Sequence, residues 1–426
     1  MRVLVIGSGG REHALVWALK RSSRVSHLVC APGNGGIARD AACHPISPAD
    51  QRAVLELAIS QKIDLVVIGP EAPLAAGLAD FLAEHGLPTV GPTRAAARLE
   101  CSKVFAKEFM ARHDIPTAQF SVHETPERAL SAIESREVRY PLVVKADGLA
   151  AGKGVVVVQD PQKAAEAIRR MMVEREFGSA GEKVVLEEFL AGKEVSYIVF
   201  TDGSTTVPAV AARDHKAAYD NDRGPNTGGM GAFSTDDILA PELEKYVLEK
   251  VIHPVIRGME KEGCPFKGML YAGLMLTPGG PKVLEFNVRM GDPEGQVILP
   301  RLGSDFAVLC EKLALGKLAD CRVEWSASSA ICIVLASGGY PGAYSKGKVI
   351  SGIEMAEENP KVFVFHAGTR RLGSSLVTDG GRVLGVTAVD RDLGSAIVVA
   401  YEAVNKIRFD GMQYRRDIGA SGLASR

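Results

Sequence analysis

Lys145-Ala-Asp-Gly-Leu-Ala-Ala-Gly-Lys-Gly-Val-Val-Val-Val158 is the stretch whose reading decides the fold. The apolar run Pro141 to Val144 leads into Lys145, and the β-branched run Val155 to Val158 follows the loop. The segment therefore reads as strand, glycine-rich flap and strand. Gly148, Gly152 and Gly154 let backbone N–H groups turn inward, while Lys145 and Lys153 supply the positive charge a polyphosphate needs. A Walker A loop is excluded: Gly152 comes too soon after Gly148, Gly154 follows Lys153 where Ser or Thr is required, and a strand replaces the helix. The same residues also describe a flexible hairpin with a solvated lysine, and the loop by itself does not choose.

Working outward, a chain of 426 residues predicts two to four domains. Its 50 basic and 51 acidic side chains leave no net field for nucleic acid or anionic membrane, so a charged ligand needs a local site. Seven cysteines with no Cys-x-x-Cys pair argue against a disulfide framework or zinc ribbon and for reduced core thiols in a cytoplasmic protein. Met1 runs into the strand Val3 to Ile6 without a signal-peptide pattern, and no apolar stretch reaches the ~20 residues of a membrane helix.

The N-terminal region alternates strand, turn and helix, as in a doubly wound parallel sheet. Gly7-Ser8-Gly9-Gly10 before a helix from about Arg11 to Lys20 is a poor dinucleotide fingerprint, because Glu12 stands where its third glycine belongs and Cys30-Ala31 where its acidic residue belongs. The turn suits a sugar phosphate or is a plain tight turn. Gly7 to Gly10, Pro32 to Gly36 and Gly69-Pro70-Glu71 are all strand-end loops and should share one crevice, which makes Glu71 a ligand candidate.

Ser102 is placed to cap a helix whose first turn holds Lys103, where the dipole disfavours a cation; an anionic ligand would relieve that placement, and a solvated lysine reads the same way. The flap unit runs from about Thr117 to Leu190 and includes a helix predicted over 161–175. It exits through Glu187-Glu188-Phe189-Leu190 and Glu194, which suit an adenine edge and ribose hydroxyls or form a simple hinge. Arg213 to Gly231 reads as a long polar binding loop, in which His215 is more readily a hydrogen-bonding residue than a base. A long helix is expected over 241–261. In the strand expected over 282–290, alternation sets Leu284, Phe286, Val288 and Met290 on one face and Glu285, Asn287 and Arg289 on the other. Glu285 and Asn287 are hard oxygen donors suited to magnesium, and Arg289 suits a carboxylate or phosphate; a strand with one wet face would read the same way. From about Trp325 the chain reads as a β-rich module with a closing helix over 394–407, serving packing and substrate enclosure.

Gly-Gly-Arg-Glu-His at 9–13, Gly-Pro-Glu-Ala-Pro at 69–73, the flap at 145–154, Gly-Pro-Asn-Thr-Gly-Gly-Met-Gly at 224–231 and Glu-Phe-Asn at 285–287 together resemble the phosphoribosylamine-glycine ligase family of the ATP-grasp superfamily, over essentially the whole chain. The resemblance implies an α/β ATP-grasp fold: an N-terminal doubly wound parallel-sheet domain (1–101), an ATP-grasp catalytic region (102–324) with a mobile subdomain at about 117–190, and a small C-terminal β-rich α+β domain (325–426). It implies ATP-dependent joining of glycine to 5-phosphoribosylamine through an acyl phosphate. The expected cofactors are ATP with magnesium or manganese, and the expected partners are these small molecules alone, in a cytoplasmic monomer. By the same resemblance Lys103, Lys145, Gly152, Lys153 and Gly154 would hold ATP phosphates, Glu187, Glu188, Phe189 and Leu190 would meet adenine, and Glu194 ribose. Glu285 and Asn287 would bind the metal. Asp214 and Arg289 would be catalytic, with Asn226, Thr227, Gly228, Gly229, Gly291 and Asp292 around glycine and the amine. Gly9, Gly10, Pro70 and Glu71 would hold phosphoribosylamine. Three positions depart from the family's usual pattern: Ala217 stands where Arg is common, Arg223 where Thr or Gly is common, and Gly295 where Thr often follows Asp-Pro-Glu.

Overall fold

The computed structural model describes residues 1–134, 138–149 and 154–423. Gly152 and Lys153 of the flap lie outside the described residues.

Near-continuous apolar runs form a five-stranded parallel sheet at the N-terminus. Its order is Ala42–Cys43, His27–Pro32, Arg2–Gly7, Leu65–Ile68, Thr89–Val90. The winding direction reverses beside Arg2–Gly7, so the turn after Gly7 and the loop after Ile68 open side by side into one crevice, as the strand order requires. Glu12 fills the wedge between them: a Cβ on Gly7 would lie 2.4 Å from its Cγ, and one on Gly69 2.3 Å from its Oε1. That packing explains why an acidic residue replaces the third fingerprint glycine.

Two four-stranded antiparallel sheets follow. The first joins Phe120–His123, Val184–Glu188, Leu142–Ala146 and Val155–Val158 in that order. With the helices Pro126–Glu134 and Pro161–Ile168 it buries a core of its own, including Ile133, Val144, Met171 and Leu186. The second joins Thr206–Pro208, Lys193–Thr201, Gly268–Thr277 and Gly280–Asn287. Its Tyr197, Leu270 and Phe286 share a core with Leu4, Ile6 and Val66 of the parallel sheet, so the flap sheet is the separately packed unit.

Several sequence expectations shift. The segment after Pro161 is α-helical only to Ile168 and widens into a π turn over Arg169–Val173. The helix expected over 241–261 forms but also carries a π turn, Leu248–Ile252, because Pro254 has no N–H to give and its ring crowds the carbonyl four residues back. The strand carrying Glu285 ends at Asn287. A register shift opposite Gly273 and Leu274 turns Val283 into the core in place of Leu284. Arg213 to Gly231 is not an open loop but is built from four short strands, Arg213–Asp214, Ala217–Tyr219, Arg223–Asn226 and Gly231–Ser234. Arg223–Asn226 is exposed throughout, so the region shows no apolar alternation to read.

The C-terminal module is also not self-contained. Its six-stranded sheet begins with Arg213–Asp214 and Gly231–Ser234 before continuing through Ser329–Ser337, Arg382–Asp390 and Val362–His366, with Met412–Gln413 beside Ser329–Ser337. The helix Leu393–Val404 covers one face. All seven cysteines are free. Among the described residues no helix is long and apolar enough to cross a membrane.

Candidate active site

The cleft between the antiparallel sheets gathers Lys103 and Lys145, two of the lysines singled out in the sequence. Ser102 caps the helix Lys103–Arg112 through the Phe105 N–H, and the flap's Asp147 accepts from Ser102 Oγ at 2.9 Å and from Val104 N–H at 3.1 Å. Lys103 Nζ donates to the Gly148 carbonyl at 2.9 Å, and burial together with the nearby Lys145 lowers its pKa against the pull of Glu285. Lys145 Nζ donates across the cleft to the Leu284 carbonyl at 3.2 Å, the carbonyl freed by the register shift, and pairs with Glu187 at 2.9 Å.

The Glu187 side chain is buried beneath Lys145 and Lys107, 3.0 Å from the latter. Burial holds Lys107 down to about 8 although Glu187 opposes the shift. Glu188 points the other way, accepting from Lys282 at 2.8 Å and from the Gln119 N–H at 3.0 Å, while Phe189 is exposed and Leu190 buried at the exit.

Glu285 faces the same cleft, 3.6 Å from Lys216. Burial raises its carboxyl, but Lys216, Lys145, Lys103 and Arg289 outweigh that and bring it down to about 2. Lys216 also pairs with Glu194, so the residue expected at ribose and the residue expected at the metal share one ammonium group. Beside them, burial pushes the Asp214 carboxyl well up despite Lys216, with Glu294, Glu194 and Glu285 adding to the rise. His215 is buried and held down to about 4, and its Nδ1 has no hydrogen-bond partner among the described residues, so it is neutral.

Arg289 links this cleft to the crevice of the parallel sheet. Its Nε donates to Glu71 at 3.2 Å, and its Nη2 donates to Glu100 at 2.6 Å and to Asn287 Oδ1 at 3.0 Å. Arg11 continues the chain, 3.8 Å from Glu71, 2.5 Å from Glu12 Oε1, and donating to the Met290 carbonyl at 3.2 Å. Glu71 is therefore held by two arginines. Glu12 Oε2 accepts from the Gly9 N–H at 2.6 Å. A Cβ on Gly10 would lie 2.6 Å from Gln296 Nε2. Gln296 and Arg382 Nη2 donate to the two oxygens of Asp292 at 2.7 and 2.8 Å, which seats Asp292 over the glycine turn. Arg382 also donates to the Gly228 carbonyl, and a Cβ on Gly229 would lie 2.4 Å from Pro293 Cδ, so the Gly228-Gly229 turn is packed against Asp292-Pro293. Thr227 donates from N and Oγ1 to the Lys216 carbonyl at 2.8 and 2.9 Å, whereas Asn226 is exposed. A Cβ on Gly291 would meet Glu294 Oε2 at 2.3 Å, so a side chain there would displace the buried Glu294. Pro70 caps the short helix Glu71–Ala75 in extended conformation.

Sequence reading missed Glu100, Lys107, Lys216 and Arg382. Glu100 had a signal, because it shares the buried face of the helix Arg94–Cys101 with Ala96 and Ala97. Arg382 had none: it meets Asp292 only through the tertiary fold.

Two antiparallel sheets closing on a lysine-lined cleft, one carrying the flap and the other Glu285 and Asn287, define an ATP-grasp ligase. Models of the phosphoribosylglycinamide synthetase N domain, ATP-grasp (A) domain and C domain match residues 1–100, 101–295 and 330–421. Phosphoribosylamine–glycine ligases of Rhodopirellula baltica and Vibrio vulnificus are each 48% identical, the alignments covering 99% and 100% of this chain and 98% and 99% of theirs. The solved phosphoribosylamine–glycine ligase of Thermotoga maritima superposes with a TM-score of 0.84 at 36% identity, covering 98% of this chain and all of that one. The biotin carboxylase domain of Hydrogenobacter thermophilus 2-oxoglutarate carboxylase, solved with MgADP, shares the fold at a TM-score of 0.72 and 16% identity, over 97% of this chain and 91% of that one. The chain belongs to the phosphoribosylamine–glycine ligase family and is an ATP-dependent carboxylate–amine ligase.

Proposed function

We propose that this cleft activates glycine as a glycyl phosphate and passes the glycyl group to an amine held in the crevice of the parallel sheet. The overall reaction is the ATP-dependent joining of glycine to 5-phosphoribosylamine in purine biosynthesis, giving glycinamide ribonucleotide, ADP and phosphate. The observation that carries the two-step reading is the Arg289 bridge, which runs from Asn287 in the nucleotide cleft to Glu71 at the strand-end crevice.

A carboxylate is a poor acyl donor. Attack of one glycine oxygen on the γ-phosphorus, with ADP leaving, converts that oxygen into part of a good leaving group. The step requires positioning and charge neutralisation more than covalent help from the protein. Lys103 and Lys145 supply positive charge from the wall and the flap strand, and Gly154 follows the flap, with Lys153 assigned to it by resemblance alone. Glu285 and Asn287 are hard oxygen donors one pleat apart on one strand, a set that fits magnesium sharing its shell with phosphate oxygens and water. When bound, such an ion neutralises charge on the transferring phosphoryl group.

Arg289 and the Gly228-Gly229 turn hold the glycine carboxylate. Phosphoribosylamine lies over Gly9, Gly10 and Pro70, with Asp292 beside it. In the second step its nitrogen attacks the acyl carbon, phosphate leaves with the activated oxygen, and the nitrogen must shed a proton. Asp214, as its carboxylate, is the base that takes it, and the burial that raises its proton affinity favours the transfer. The flap unit, about 117–190, closes as one piece on its own core and shields the acyl phosphate from water. ADP release should require magnesium, glycine and phosphoribosylamine together, with a glycine-ribonucleotide product by mass. Release indifferent to glycine would overturn the assignment.

A further inference from the structure

The hairpin between Asp214 and Gly231 is held at its base by the Thr227 bonds to the Lys216 carbonyl, and its tip has less to hold it. One arm, Arg223–Asn226, is exposed throughout, and the other, Ala217–Tyr219, pairs with it through an irregular register. Its turn places Asn221 (φ 59°) and Asp222 (φ 53°) in succession in the left-handed region, which Asn and Asp tolerate and most residues avoid. A two-stranded ribbon of this kind is marginal by itself.

The C-terminal tail supplies what the hairpin lacks. Arg415 is 1% exposed. Its Nη1 donates to the Ala217 carbonyl at 3.1 Å and to Asp222 Oδ1 at 2.8 Å, and its Nε and Nη2 fork onto Asp417 at 2.8 and 2.6 Å. Asp417 Oδ2 also accepts from the Asn221 N–H at 2.9 Å, and the Arg416 N–H donates to Asp220 Oδ1 at 2.7 Å. The tail is fixed in turn by Tyr401, whose hydroxyl donates to the Arg415 carbonyl at 2.9 Å and accepts from the Ile418 N–H at 3.2 Å. Burial works against the Asp417 charge, but the Arg415 fork and the Asn221 N–H bring its carboxyl to about 2, so the clamp stays charged at any working pH.

We propose that Arg415 is a positioning residue for the ligation: by gripping the Ala217 carbonyl and the Asp222 turn it sets where Lys216 and the Thr227–Gly229 turn stand in the cleft. The Ala217 carbonyl is one residue from Lys216, whose own carbonyl takes both Thr227 bonds, so a shift at the clamp is passed to both walls of the site. The proposal rests on the reading of this hairpin as part of the glycine site. It also gives the side-chain departure at Ala217 a structural setting, since only the backbone of that residue is used by the clamp.

The test compares Arg415→Met, Arg415→Lys, Asp222→Asn and Lys216→Met. Misplacement of reacting groups by about 1 Å costs up to about 100-fold. Arg415→Met should therefore lower kcat/KM for glycine by on the order of 10- to 100-fold, a larger effect than its effect on ATP affinity read by calorimetry, to which Lys216 is linked through Glu194. Arg415→Lys should recover part of the loss. Asp222, with a side chain 76% exposed, can be changed without disturbing the core, and Asp222→Asn should shift glycine kinetics in the same direction by less. Lys216→Met probes the underlying reading, and wild-type glycine kinetics there would overturn the placing of the hairpin at glycine. Impaired Lys216→Met beside a folded Arg415→Met with wild-type glycine kinetics would overturn the positioning role alone. Should Arg415→Met not fold, unchanged glycine kinetics in Asp222→Asn overturns it instead.

Discussion

Glu285→Ala is expected to lower kcat by on the order of 10²–10³-fold, the scale of several kcal/mol of charge stabilisation at the transferring phosphoryl group. The loss has two origins. The variant removes one of the paired hard donors on the strand Gly280–Asn287. It also removes the anion that Lys216, Lys145, Lys103 and Arg289 hold down to about 2, leaving those cations facing one another across the cleft. Steady-state ADP formation across a magnesium titration reads the first effect. Protection of the fold by MgADP, followed as a melting shift, reads it without turnover and should be lost in the variant. Unchanged magnesium dependence in both measurements would remove Glu285 from the metal site.

Arg289→Met is expected to abolish detectable ligation and also to cost about 3–5 kcal/mol of stability, because it strands a buried carboxylate. The Glu100 side chain is 7% exposed and accepts from Arg289 at 2.6 Å, with the Val288 N–H at 2.7 Å as its remaining donor. Burial already raises the Glu100 carboxyl above its reference value of 4.5 even with Arg289 present, and removing the guanidinium raises it further. The sign follows directly. A folded-state pKa above the unfolded one favours the folded state when the group is protonated, and that contribution is lost as pH rises through the folded value. The stability deficit of Arg289→Met should therefore shrink as pH falls toward 4.5. Adding Glu100→Gln should restore most of the stability at neutral pH without restoring ligation. A double variant no more stable than Arg289→Met would contradict the account of Glu100.

What the sequence made legible follows from how local the signals are. The flap, the glycine turn and the Glu285-Phe286-Asn287 strand declare themselves within a few residues, because a strand's period and a glycine's freedom are local properties. The crevice loops could be set side by side because strand order in a doubly wound sheet constrains where turns emerge. Leu284 was misplaced because a register shift reverses the faces on one side of it, and nothing in Lys282 to Met290 announces an irregularity that depends on the partner strand. That the Glu187 side chain turns under Lys107 and Lys145 depends on packing across two elements. The hairpin around Asn221 escaped because its stability comes from Arg415, far along the chain, and not from its own pattern. The same holds for Arg382 and Asp292. Gly295 became intelligible only in three dimensions, where a Cβ would lie 2.9 Å from Met290 Cγ.

The central claim is that one glycine oxygen is phosphorylated before the amine attacks, and isotope transfer tests it most directly. Turnover with glycine labelled with ¹⁸O in its carboxylate, in the presence of ATP, magnesium and phosphoribosylamine, should place one labelled oxygen in each inorganic phosphate released and leave ADP unlabelled. Phosphate carrying no label while glycinamide ribonucleotide accumulates would show that the glycine carboxylate never bonds to phosphorus, and would contradict the acyl phosphate route.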